Sequence, residues 1–80
     1  MDEPFMIVAG FSFENVQDSD FGKPYLYVVD LKDEQQRAQF IFENGNLIEK
    51  VSTFSDIKRQ DKLNQVLTAN FDEIRGEFSA

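Results

Sequence analysis

Apolar residues change their spacing part-way along this chain. Through residue 52 they alternate or sit in short aromatic and β-branched runs, whereas Leu63, Val66, Leu67, Phe71, Ile74 and Phe78 recur at steps of three and four. The first pattern suits strands and the second lines one face of a helix. Strands followed by a helix make an α+β arrangement in which the helix covers one side of a sheet. Eighty residues leave room for one domain, 1–80. A chain of that length buries only roughly 60% of the surface it exposes when unfolded. It has no cysteine to cross-link it, so nine phenylalanines must supply most of the core.

Within the first part, residues 5–12 (Phe-Met-Ile-Val-Ala-Gly-Phe-Ser) read as a first strand, with Gly10 marking a bulge or a close backbone approach. Residues 14–24 are polar and turn-rich and are expected to form the longest loop. Pro24 leads into a second strand over 25–31, rich in Tyr and Val. A third is expected over 37–42, with Ala38, Phe40 and Phe42 on one face and Arg37, Gln39 and Ile41 on the other. Asn44-Gly45 supplies the two positive-φ residues of a type I′ turn, so 47–52 should return antiparallel as a fourth strand.

The helix is expected over about 55–78, capped by Ser52, Thr53 or Ser55, with Asp56 suiting its positive end. Uninterrupted, it would run ~35 Å, long for so small a sheet. A break near Thr68-Ala69-Asn70 is expected, with Asn70 capping a second helix opened by Asp72 and Glu73. The predicted fold is a meander of three or four antiparallel strands packed by a C-terminal helix.

Composition narrows the function more by exclusion. The chain has no histidine and no cysteine, the groups that titrate or coordinate metals near neutral pH. The serines therefore have no imidazole to activate them, and no glycine-rich phosphate cradle is present. Asp30, flanked by Val29 and Leu31, is the one acid set in a strongly apolar run. On a strand it falls on the side of Val28 or caps the strand end. Asp18-Ser19-Asp20 resembles the start of a calcium loop, but Lys23 and Val29 stand at its sixth and twelfth positions, where Gly and Glu are needed. No catalytic residue, metal site or cofactor is expected.

Fifteen acidic residues against eight basic ones give a net charge of −7. Residues 1–22 hold five acids and no base, 23–62 hold seven of each sign, and the last eighteen carry Asp72, Glu73 and Glu77 against Arg75. Such a field repels phosphate backbones and draws basic partners. Lys50, Lys58, Arg59 and Lys62 cluster in sequence, and Tyr25 and Tyr27 could stack bases. Glu49, Asp56 and Asp61 cancel that patch, so direct nucleic-acid binding is not expected. No apolar run is long enough to cross a bilayer, and the acidic start is unlike a signal peptide. A cytoplasmic location is expected.

These features point to a small acidic protein-binding module, a profile shared by antitoxins, immunity proteins and phage-encoded inhibitors. It would dock on a larger, basic or nucleic-acid-handling partner protein and inhibit or adapt it. The expected contact residues are Glu14, Asp18, Asp20, Phe21, Tyr25, Tyr27, Asp72, Glu73 and Glu77. The alternative is a self-associating structural or accessory subunit held by Phe11, Phe13, Val16 and Phe21, so the chain is expected as monomer or homodimer.

Overall fold

Two short turns set the sheet. Asn44 and Gly45 both take positive φ (54° and 80°), as the Asn-Gly pair predicts, and Ala9 and Gly10 do the same (55° and 83°). In the computed structural model, which describes residues 3–17 and 22–79, the second of these turns folds the predicted first strand back on itself. The sheet therefore has five strands rather than three or four: β1 (Met6–Val8), β2 (Phe11–Val16), β3 (Tyr25–Asp30), β4 (Arg37–Glu43) and β5 (Asn46–Ser52). Gly10 is thus a hairpin residue and not a bulge. Ala9 hid the turn, because a non-glycine residue at positive φ carries no sequence signal.

The strands run β1-β2-β3-β4-β5 in space, each antiparallel to the next. Glu14, Asn15 and Val16, predicted as loop, continue β2 along Tyr27, Leu26 and Tyr25. Among the described residues the one irregularity lies between β4 and β5, where Gln39 pairs with Val51 but Phe40 pairs with Glu49. Lys50 is the extra residue of that bulge.

Alternation then sorts each strand onto two faces. On the first, Met6, Phe13, Val28 and Ala38 line up across four strands, with Leu26 beside Phe40 and Phe42 beside Leu47. Leu63, Val66, Leu67 and Ile74 enter the same cluster from the helices, α1 (Ile57–Ala69) and α2 (Phe71–Phe78). Phe42 meets Phe71 and Phe78 at ring-centroid distances of 5.9 and 5.5 Å. Each large side chain so buried stabilises the fold by roughly 1.5–3 kcal/mol. Phe11 and Phe13 are fully buried here, so they build the core and are not a self-association surface.

The helix breaks at Asn70, as its length suggested. Asn70 closes α1, donating its backbone N–H and its Nδ2 to the Val66 carbonyl, and makes no side-chain cap to α2. The N-cap of α1 is Asp56, whose Oδ1 accepts the Lys58 and Arg59 amides at 3.0 and 3.3 Å. Ser55 serves elsewhere. Its amide donates to the Gln36 Oε1 and its Oγ accepts from the Gln36 Nε2, which ties the β3–β4 loop to the start of α1. No helix among the described residues is long and apolar enough to cross a membrane.

Candidate protein-docking surface

Both helices put their buried side chains into one face of the sheet, so among the described residues no helix packs on the other, the bare face. Three rows cross it. The first holds Ile7, Ser12, Val29 and Arg37, and the second Glu14, Tyr27, Gln39 and Val51. The third is made of Val16 beside Tyr25 and Ile41 beside Ile48. Ile7, Val51 and Ile48 are 60%, 45% and 37% exposed, and Val16, Tyr25, Tyr27 and Val29 are half-buried. Ile41 is enclosed at 3% exposure yet stands outside the main core cluster. This second face therefore has a small apolar centre of its own.

The two tyrosines share this face because they are two residues apart on β3. Their rings meet edge to face, 6.3 Å between centroids at 83°. Arg37, across on β4, donates from its Nη1 to the Tyr27 hydroxyl at 3.0 Å and from its Nε to the Glu34 carbonyl. Its charge is thereby held flat beside the aromatic pair. Among the described residues of β2 to β4, this face carries two acids and one base: Glu14, Arg37 and, at the end by the Asn44-Gly45 turn, Glu43.

Of the predicted contact residues, the structure brings Glu14, Tyr25 and Tyr27 together on this face. Asp18, Asp20 and Phe21 lie outside the described residues. Asp72, Glu73 and Glu77 are exposed on α2, in the layer on the opposite side of the sheet. There the Glu77 carbonyl accepts the Asn15 Nδ2. A single surface of Glu14, the tyrosines and the α2 acids is therefore not formed. Ile48 and Val51 were missed in sequence: Ile48 reaches this face opposite Ile41 through the Asn44-Gly45 turn alone, whereas Val51 needs the Lys50 bulge to do so.

Among the described residues, the one ion pair is on the other face. Asp30, 1% exposed, accepts from Arg59 Nε at 2.8 Å and Nη2 at 3.2 Å, and from the Lys32 amide at 2.9 Å. Arg59 also donates to the Ala9 carbonyl at 3.1 Å and lies 4.3 Å from the centre of the Phe11 ring. Burial alone would push the Asp30 carboxyl up. The Arg59 hydrogen bonds and the Lys32 amide outweigh it and hold the group below its ordinary 3.8. Asp30 in turn holds the Arg59 guanidinium above its ordinary value. An acid kept ionised by a bidentate partner clamps α1 to the sheet, and the pairing takes Arg59 out of the basic cluster read in sequence. Lys58 and Lys62 stay on α1 and Lys50 on the β5 edge.

A groove of about 350 Å³ runs between β5 and α1, floored by Phe40, Leu47, Leu67 and Phe71. No titratable side chain lines it, so it offers no acid or base for catalysis. Among the described residues no three acidic side chains converge as a cation site would need. Comparison with protein-family models, with curated proteins and with solved structures finds no match.

Proposed function

We propose that this chain is a small interaction protein that works by contact, docking on a larger protein and inhibiting or adapting it. The observation that carries the reading is the bare sheet face. An apolar and aromatic surface spread over five strands, in a chain otherwise rich in charge, is accounted for by a protein that covers it. Tyr25 and Tyr27 at its centre offer large contact area at low entropic cost.

Charge gives the direction toward a basic partner. The net charge is −7, and α2 presents Asp72, Glu73 and Glu77 against Arg75 alone. These acids steer an encounter and make it sensitive to salt. A second reading, self-association, is favoured by the exposed apolar residues of this face, Ile7, Ile48 and Val51.

The test is a pull-down from native lysate with the tagged protein, eluted along a salt gradient. Two variants run beside it, Asp72→Asn/Glu73→Gln and Tyr25→Ser/Tyr27→Ser. A basic protein that elutes at moderate salt, earlier from the charge-neutralised variant, and is lost from Tyr25→Ser/Tyr27→Ser supports docking through the sheet face with the α2 acids steering the encounter. Retention that neither variant alters, or an empty column, overturns the reading.

A further inference from the structure

We propose that Asn44-Gly45 is a self-modifying site, at which the folded chain converts Asn44 without an enzyme to aspartate and isoaspartate. The chemistry stands independently of the interaction reading, and only its consequence for docking rests on that reading.

The reaction needs an asparagine whose side-chain Cγ can be reached by the backbone nitrogen of the next residue. The Gly45 nitrogen gives up its proton and attacks the Asn44 Cγ. A C–N bond forms, the side-chain nitrogen leaves as ammonia, and a five-membered cyclic imide results. Water then opens the ring. Attack at Cγ breaks the new bond and leaves an aspartate in an unaltered main chain. Attack at the main-chain carbonyl carbon breaks the original peptide bond instead, so the chain runs on through Cγ as an isoaspartate. Water is the one co-reactant, and nothing is oxidised or reduced.

Five asparagines could enter this reaction, and the structure favours one. Asn15, Asn46, Asn64 and Asn70 precede Val16, Leu47, Gln65 and Phe71, whose side chains crowd the nitrogen that must attack. The Asn15 and Asn70 amides are also tied, to the Glu77 and Val66 carbonyls. Asn44 precedes a glycine, and both residues are exposed. A Cβ at Gly45 would meet nothing, so the approach to its nitrogen is open. The two residues form a loop closed by Glu43 opposite Asn46. In such a loop the closing hydrogen bond uses the N–H that follows the glycine, which leaves the glycine's own N–H outside the strand pairing. Among the described residues no backbone bond beyond the strands uses the Gly45 N–H. Ring closure needs a rotation at Asn44, and the tip of a hairpin opens at little cost. The Ala9-Gly10 turn shares the backbone form but has no amide to react.

Either product changes the end of the bare face. Both add a carboxylate beside Glu43, the acid already at that end, and take the net charge one unit below −7. Aspartate tolerates positive φ and keeps the hairpin. Isoaspartate lengthens the main chain by one methylene in a loop fitted to two residues, which disturbs the register of β4 against β5. Ile41 and Ile48, in the apolar centre of the face, pair two positions along from the Glu43–Asn46 closure. The site would thus alter the docking face as the protein ages.

Peptide mapping of the folded chain, aged warm at about pH 8 and at about pH 6, reads the reaction. Trypsin, cutting after Arg37 and Lys50, releases residues 38–50. That peptide should gain one mass unit at position 44 and become a substrate for isoaspartyl methyltransferase. The gain should be faster at the higher pH, because the Gly45 nitrogen attacks deprotonated, and Asn44→Gln should show none of it. Amide NMR of the aged chain should show new signals for Ile41 and Ile48 that Asn44→Asp does not reproduce. A folded chain that stays intact while the same chain reacts in urea shows that the hairpin protects the site, and overturns the proposal. So does a gain that appears first at another asparagine. A modified turn in a chain that captures no partner supports the site and removes the interaction reading.

Discussion

Removing the Arg59 guanidinium should weaken the fold strongly at neutral pH and less so in mild acid. Arg59→Ala deletes two charged hydrogen bonds to Asp30, one to the Ala9 carbonyl and the contact over Phe11. It also leaves a carboxylate at 1% exposure with only the Lys32 amide to satisfy it. Breaking one side of a buried pair costs about 3–5 kcal/mol. Because the Arg59 side chain is 21% exposed, water can reach part of the gap, and about 2–4 kcal/mol is expected. That is a large part of the roughly 4–12 kcal/mol that holds a domain of eighty residues. The sign with pH reverses between the two proteins. In the parent, Asp30 lies below its ordinary 3.8, so its contribution is present above that value and is lost as pH falls through the folded pKa. In Arg59→Ala, burial dominates and raises the folded pKa. The penalty is then full at pH 7 and shrinks as acid protonates Asp30. Urea titrations at pH 7 and pH 4.5 measure both stabilities. A deficit under about 0.5 kcal/mol at pH 7, or one that does not narrow with acid, refutes the reasoning. Asp30→Asn added to Arg59→Ala should recover stability at pH 7, because it removes the stranded charge.

Other substitutions probe separate parts of the fold. Leu63→Asp sets an unpaired charge at a fully buried site and should abolish the cooperative melt, whereas Leu63→Ala should cost about 2–5 kcal/mol by urea titration. Asp56→Ala removes the acceptor for two amides at the start of α1 and should cost about 1 kcal/mol, seen as a lower Tm. Gly10 and Gly45 have matching φ, but a Cβ at Gly10 comes within 3.3 Å of Arg59 Nη2 while one at Gly45 meets nothing. Gly10→Ala should therefore lower Tm more than Gly45→Ala, and equal losses would show that the Arg59 side chain yields freely.

Local signals carried well from sequence to structure, and distant pairings did not. Asn44-Gly45 marked its hairpin because positive φ at two successive positions has a distinct residue preference. The step from period two to three and four placed the helices, and the length of the apolar stripe argued for the break at Asn70. Ala9-Gly10 makes the same kind of turn with a residue that gives no such cue, so one strand and the position of Glu14 were misread. Phe11 and Phe13, at the end of the predicted first strand, were then offered as a self-association surface when they are core. The clamp between Asp30 and Arg59 joins residues 29 positions apart, and nothing in local spacing announces such a pair. At the candidate surface, Tyr25 and Tyr27 were legible because alternate residues on a strand share a face. Val51 was not, because its side depends on a bulge that only the paired register reveals, whereas Ile48, opposite Ile41 across the predicted turn, was legible and was overlooked.

The most direct test of the bare face as a contact surface is backbone amide NMR of the labelled chain, diluted alone from roughly 500 to 10 µM and then mixed with the protein recovered in the pull-down. The account predicts shifts at Val16, Tyr25, Tyr27, Val29, Ile41 and Ile48 in one series or the other. Shifts confined to the helices in both, or none in either, would contradict it.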